Sequence, residues 1–432
     1  MFLQIWAEMK KILKNKWIWL VFIGVLLVSN VFSQSSSNLS EYQGLSDEGE
    51  MLKGKEAYWY TEEVGKEYEG EMDEAWFTKL EQDYVEAQKK YLAANFDVSH
   101  MQEVYGNDWM EYYIANEKDF INEKYIKENP EYLDQGLMPY YEIEHAPGYT
   151  LRYSFLSSLR YNYVEYIQTK PWNQEGLVEK GSEKFSLYSN SMLEDTEKDF
   201  IKETLNKETT FYYGNSDGWK ALISLIANSY FLFPMFLILI SSNMFNKEKN
   251  TQMMEIIRTS KYGKKKCASA KIIAITLTAW LFTALLLGAD TLYIFTTMGL
   301  GNWNVNAAAA YVSISPFTFQ QIYLSAIALY MFGAFVIVQT CCLLSCILKS
   351  NYVSLLISTA AIVIPNVLPG KIFHLFPMQF MELGSILANG ATFQLADSIY
   401  FTKDIVYLWI LPVIVFVSIS YYYYKSYYFL KE

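Results

Sequence analysis

The residues that could do chemistry in this chain are few and poorly spaced for it. Carboxylates are abundant, and pairs such as Glu142/Glu144 have the composition for acid and base work. The stretch that holds them, residues 34–219, offers only His100 and His145 as company. No HExxH and no Cys–His spacing occurs there, so no zinc hydrolase or thiol nucleophile is spelled out. Ordinary solvation accounts for most of that charge, although an acidic face also attracts cationic peptides or divalent ions. No G-x-x-x-x-G-K-[ST] loop is present, and GNSDGWK (214–220) lacks its spacing, so the chain has no cradle for nucleotide phosphates. Cys267, Cys341, Cys342 and Cys346 lie outside the acidic stretch and suit packing better than metal ligation. One carboxylate stands apart. Asp290 sits inside an apolar run, where an ionisable side chain is a functional candidate by default. Counted from Lys271, it lies 19 residues along a helix, about 28 Å, which places it near the far interface as a wetted helix end.

The elements that must position these residues divide the chain in two. Residues 34–219 hold 17 Lys/Arg against 38 Asp/Glu, a net of -21, whereas the rest is basic at +10. Six apolar runs fall in the basic part: 17–32, 221–242, 272–299, 318–347, 352–369 and 405–424. A helix rises about 1.5 Å per residue and needs roughly 20 apolar residues to cross a ~30 Å hydrocarbon layer. Five runs reach that length or come close, and the 16-residue first run spans if Lys16 snorkels. The expected fold class is an all-α polytopic membrane protein of six transmembrane helices with a mostly helical extracellular domain.

Lysine placement sets the orientation, because basic loops stay cytoplasmic. Lys10, Lys11, Lys14 and Lys16 precede the first run, Lys349 lies between the fourth and fifth, and Lys425 and Lys431 follow the sixth. Both termini are therefore expected inside a cell membrane, that of a Gram-positive bacterium, and the acidic domain outside. Phe2, Ile5, Trp6, Met9, Ile12 and Leu13 recur at three- and four-residue spacing, which predicts a cytoplasmic interfacial helix over 1–16. That pattern favours an uncleaved first span over 17–33 rather than a removed secretory leader. The acidic domain over 34–219 is too aromatic for a disordered tail. Trp76, Leu80, Tyr84, Ala87 and Tyr91 make one helical stripe, Phe155, Leu159, Tyr163 and Tyr166 another, and Ser191 and Glu194 have capping-box spacing. Transmembrane helices two to six occupy 220–432, and the proline-rich, apolar segment 370–403 suits extracellular re-entrant helices.

The sharpest signal is FNKEKNTQMMEIIRTSKYGKKKCASAKI, residues 245–272. Eight basic residues stand there against only Glu248 and Glu255. Between a possible cap at Asn250 and a stop at Gly263, Met253, Met254, Ile256 and Ile257 form an apolar face. A short helix of this kind, tied to two spans, can dock in a groove on another protein or lie on the inner leaflet.

Glu248, Thr251, Ile256-Ile257-Arg258-Thr259-Ser260, Lys266 and Ala270-Lys271 resemble the cytoplasmic loop of ATP-binding-cassette (ABC) exporter permeases of the type-2 class. Asn250 stands where that family commonly has Gly, and Ser260 where it has Pro. The large insert is similar to a subgroup with big extracellular domains between the first and second spans. The resemblance implies a coupling helix over 247–263, with Glu248, Thr251, Met254, Glu255, Ile257 and Arg258 facing a separate ABC ATPase subunit. It implies no cofactor in this chain, with ATP and Mg bound by that ATPase, a second permease subunit (identical or homologous), a lipid bilayer and no nucleic acid. The function it implies is export of an amphipathic substrate such as an antimicrobial peptide, lipid or drug. An ATP-driven sensor or mechanotransmission module, or a sodium-extrusion permease, is the alternative.

Overall fold

The computed structural model describes residues 1–36, 42–95, 98–115, 150–163, 211–229, 231–246, 253–259, 267–307, 317–348 and 350–367, the strand residues 392–395 and 398–401, and scattered single positions. The chain divides into two compact units: Met1–Ser37, Glu179–Lys202 and Ser216–Glu432 form the first, and Asn38–Val178 with Glu203–Asn215 the second.

In the first unit α1 (Phe2–Leu13) turns sharply into α2 (Lys16–Ser36). Asn15 makes the corner, its side-chain oxygen accepting from the Trp17 amide at 3.1 Å, and Trp19 Nε1 donates to the Leu13 carbonyl at 2.7 Å. The two helices meet at 66°.

In the second unit, β1 (Gln43–Leu45) pairs antiparallel with β2 (Met51–Lys53), and α3 (Lys55–Lys66) follows. Next come β3 (Gly70–Glu71), α4 (Glu74–Asn95), α5 (Val98–Tyr105), α6 (Trp109–Ala115), α7 (Leu151–Tyr163) and β4 (Tyr212–Tyr213), the last paired with β3. The stripe Trp76, Leu80, Tyr84, Ala87 and Tyr91 is buried throughout, as its spacing requires. Tyr153 of α7 stacks on both Tyr84 and Tyr91, with centroids at 5.7 and 4.6 Å. Of the second stripe Leu159 is buried, and Leu151 and Leu156 join it, whereas Tyr166 lies outside the described residues. The capping-box pair Ser191 and Glu194 lies outside them too.

Charge ties the elements of this unit together. Arg152 donates from Nη1 and Nη2 to the two oxygens of Glu67, at 3.1 and 2.6 Å, and Arg160 shares its Nε–H between the two oxygens of Glu81 at 2.9 and 3.0 Å. The Arg152 guanidinium holds the Glu67 carboxyl below the usual carboxylate range, and Glu67 in turn raises Arg152. Burial pushes the Tyr60 hydroxyl up to about 12, against the opposing hydrogen bond it accepts from the Asp47 amide.

The first unit resumes with α8 (Asp217–Asn228) and α9 (Leu232–Ser241), the two halves of the second apolar run, bent by 43°. Pro234 explains the break: it has no N–H to continue the ladder from α8, and a proline sits well only in the first turn of the helix it begins. After α10 (Met253–Thr259) come α11 (Ala268–Thr297) and α12 (Phe319–Ile347), then α13 (Asn351–Val367). α11 and α12 are each long and apolar enough to cross a membrane, and the count among the described residues rises to four if each bent pair is one span. Thr318 opens α12 with a capping box to Gln321 that the sequence reading did not pick out.

Phe282 of α11 is the centre of the packing. Trp19 and Phe22 of α2 and Phe236 of α9 surround its ring at centroid distances of 5.2, 4.8 and 4.9 Å. Phe22, Phe236 and Phe282 are buried, and each contributes about 2 kcal/mol from apolar area alone, while Trp19 is half-buried. At the other end of these helices, Gly218 of α8 meets the backbone of Gly299; a Cβ there would lie 1.8 Å from the Gly299 oxygen. α1 packs along α11, burying Ile12 while Phe2, Leu3 and Trp6 stay exposed. Cys341, Cys342 and Cys346 are buried in α12, and Cys267 is half-buried; none is in a disulfide.

Two expectations change. β5 (Thr392–Leu395) pairs antiparallel with β6 (Ser398–Phe401), where re-entrant helix was expected. Thr-Phe-Gln-Leu and Ser-Ile-Tyr-Phe are β-branched and aromatic enough to pair, while residues 370–380 and 382–391 lie outside the described residues. Of the helix expected over 247–263, the described part is Met253–Thr259, and Asn250 and Gly263 lie outside the described residues. Asp290 is not a wetted helix end: it is fully buried, and α11 continues to Thr297 beyond it.

Candidate coupling site

The chain leaves α9 through a tight turn at 242–246 and returns as α11, with α10 between. Ser345 of α12 anchors that turn, its Oγ accepting from the amides of Phe245 and Asn246 at 3.1 and 3.2 Å. Ser354 of α13 donates to the Ser242 carbonyl at 3.0 Å. The Asn246 side-chain amide, oriented as its surroundings require, donates to the carbonyls of Leu348 and Ser345 at 2.6 and 2.8 Å. Every helix end that a turn crosses has free carbonyls to satisfy, and this one satisfies them from its neighbours.

Lys271, one turn into α11, is 2 % exposed, an unusual place for a lysine. It forms an ion pair with Glu248, reaches the Met244 carbonyl at 3.4 Å and lies 5.3 Å from the Phe245 ring centroid. The ammonium is thus held by a carboxylate, a carbonyl and an aromatic face at once. The turn is joined by hydrogen bonds to α12 and α13, and by charge to α11.

Of the residues the sequence assigned to this region, Glu248 therefore faces inward, to Lys271. On α10, Met253 and Ile256 are exposed, Ile257 is half-buried, and the Thr259 hydroxyl donates to the Ile256 carbonyl at 3.0 Å. Met254, Glu255 and Arg258 are described only in their backbone, and Thr251 lies outside the described residues. Asp290 belongs to a different part of α11, 19 residues from Lys271. The sequence reading missed Ser345, Ser354 and Asn246; their only signal was a small polar residue at the end of an apolar run.

Among the described residues no group of three His, Cys, Asp or Glu side chains could hold a metal ion. Residues 214–218 read G-x-S-x-G, the letters of a nucleophile elbow, but Ser216 is the buried N-cap of α8, whereas an elbow exposes its serine hydroxyl.

Along the chain α10, with Met253 and Ile256 exposed, lies between the turn at 242–246 and Lys271. The family model of the ABC-2 family transporter proteins matches residues 4–431. The chain belongs to the ABC-2 transporter family. No curated protein and no solved structure matches it. As an ABC-2 protein it is a multi-pass component of the cell membrane and a permease subunit of an ABC transporter, a family that normally works with an ABC ATPase. The match covers the inserted second unit as well as the helices around it.

Proposed function

We propose that this ABC-2 permease couples ATP hydrolysis on a separate ATPase subunit to export of an amphipathic substrate. In this reading six spans cross the membrane, both termini and α10 are cytoplasmic, and residues 34–219 form an extracellular domain. Two permease subunits, identical or homologous, pair in the bilayer, and ATP and Mg are bound by the ATPase. The observation that carries the reading is the exposure of Met253 and Ile256 on α10 together with the buried Glu248–Lys271 bridge between the chain segments that flank it. A push received by α10 passes through the turn at 242–246 into α11, α12 and α13, because hydrogen bonds and charge join the turn to all three. Thr251, Met254, Glu255, Ile257 and Arg258 complete the surface offered to the ATPase, and the basic residues around them keep the loop inside the cell.

Copurification with a Walker-A ATPase encoded beside this chain tests the reading. Ile257→Asp and Arg258→Glu are each expected to abolish that copurification while leaving membrane insertion unchanged. Copurification that survives both substitutions removes α10 from the coupling role. Transport is then measured with peptide, lipid and drug candidates in vesicles that hold both subunits.

A further inference from the structure

Asp290 is the feature of the membrane unit that coupling does not use. Along α11, Phe282, Leu286, Asp290 and Ile294 share one helical face and are fully buried, while Leu281, Leu285, Leu292 and Phe295 are exposed on the others. Asp290 therefore points into the bundle. Neither of its oxygens has a hydrogen-bond partner.

Its level in the bundle follows from the close approach of Gly218 to Gly299. Nine residues back from Gly299, Asp290 is about 13 Å below that contact. Ser229 is eleven residues along α8 from Gly218, about 16 Å. Tyr330 is eleven residues along α12 from Phe319, whose ring stacks on Trp219 beside Gly218, so it too lies about 16 Å in. Ser229 Oγ and the Tyr330 hydroxyl are 2.7 Å apart. The adjacent Thr291 is bonded to Tyr323 of α12 at 2.8 Å. A carboxyl, two hydroxyls and the break between α8 and α9 thus share one depth.

Among the described residues no countercharge is at hand. α9, α12 and α13 carry no charged residue. On α8, Lys220 pairs with Asp217 at 3.3 Å; on α11, Lys271 pairs with Glu248; on α1, Lys11 pairs with Glu8. Lys10 of α1 and Lys16 of α2 are exposed. The other titratable groups described on these elements are the hydroxyls of Tyr293, Tyr323, Tyr330 and Tyr352 and the thiols of Cys341, Cys342 and Cys346, the thiols eleven or more residues along α12 from Tyr330. An ionised carboxylate without water, donor or cation is far costlier to bury than a neutral acid.

We propose that Asp290 is a proton-binding site of the membrane unit. It carries a proton in the packed arrangement seen here and releases it when the helices around it part enough to admit water. Rearrangement of the spans then takes up or releases one proton per chain.

The test needs only the full-length chain in lipid vesicles, so it stands or fails separately from the transport reading. Dicyclohexylcarbodiimide adds to protonated carboxyl groups in apolar surroundings, and mass spectrometry of the digested protein locates the adduct. Modification at Asp290 is expected at neutral pH, falling several-fold as the pH is raised, and unchanged when sodium chloride replaces choline chloride. Infrared spectra decide the matter if the reagent lacks access. The wild type is expected to show a protonated-acid carbonyl band that Asp290→Asn lacks and Asp290→Glu restores in shifted form. Should the Asn variant fail to fold, loss of the wild-type band on alkaline titration serves instead. Absence of that band at neutral pH overturns the proposal, and so does protection by sodium, which would assign the site to a metal cation.

Discussion

Removing one partner of the Glu248–Lys271 bridge should cost more than removing both. In Glu248→Gln the ammonium of Lys271, whose side chain is 3 % exposed, keeps only the Met244 carbonyl at 3.4 Å and the Phe245 ring at 5.3 Å. Breaking a buried pair costs ~3–5 kcal/mol. The ring and the carbonyl offset part of that, which leaves a loss of about 3 kcal/mol. In a chain of this size that lowers the melting temperature by about 3 °C. Replacing both groups, as in Glu248→Gln/Lys271→Met, removes the stranded charge and fills the space with apolar atoms. That double variant should melt within about 1 °C of the wild type. The assay is tryptophan-fluorescence melting of the purified protein in detergent, on all four corners of the cycle. If Glu248→Gln melts with the wild type, or the double variant is as unstable as the single, the bridge does not pin the turn and the relay from α10 has no anchor.

Other substitutions probe the packing that surrounds this site. Gly218→Ala puts a Cβ 1.8 Å from the Gly299 oxygen and should cost more than about 2 kcal/mol, read as lost monodisperse yield, whereas Gly24→Ala, with nothing within 4 Å, should be tolerated. Ser345→Ala leaves two buried amides without their acceptor and should lower the melting temperature by about 4 °C. In the second unit the folded-state Glu67 carboxyl is depressed, so its contribution is present above the ordinary carboxylate range and lost as the pH falls through the folded value. Because Glu67 is 43 % exposed, that contribution is about 0.5 kcal/mol, and hydrogen exchange in α3 should quicken below about pH 4 in the wild type more than in Arg152→Gln.

The long elements were legible because hydrocarbon thickness leaves a plain mark on composition. The runs 272–299 and 318–347 became α11 and α12 within a few residues. The run 221–242 was equally apolar yet breaks before Pro234, since hydropathy adds residues without regard to which one lacks an N–H. Depth was harder. Counting from Lys271 placed Asp290 at a water interface, but what decides its environment is which face of α11 it occupies and where that helix stops. Glu248 and Lys271 were each visible in a motif. Their contact was not, because 23 residues separate them and only the return of the chain into α11 closes the gap. Strands of two or three residues, such as β3 with β4, are too short to show alternation at all.

The cysteines make the coupling site observable. Three of the four are sealed inside α12, and only Cys267 is partly accessible. It precedes Lys271 by one helical turn, so the two side chains share a face of the chain entering α11. In the folded protein a thiol-reactive dye should therefore mark a single place, beside the Glu248–Lys271 bridge, without any other cysteine being replaced first. A change in that dye's emission when an ATPase binds would follow the relay in real time.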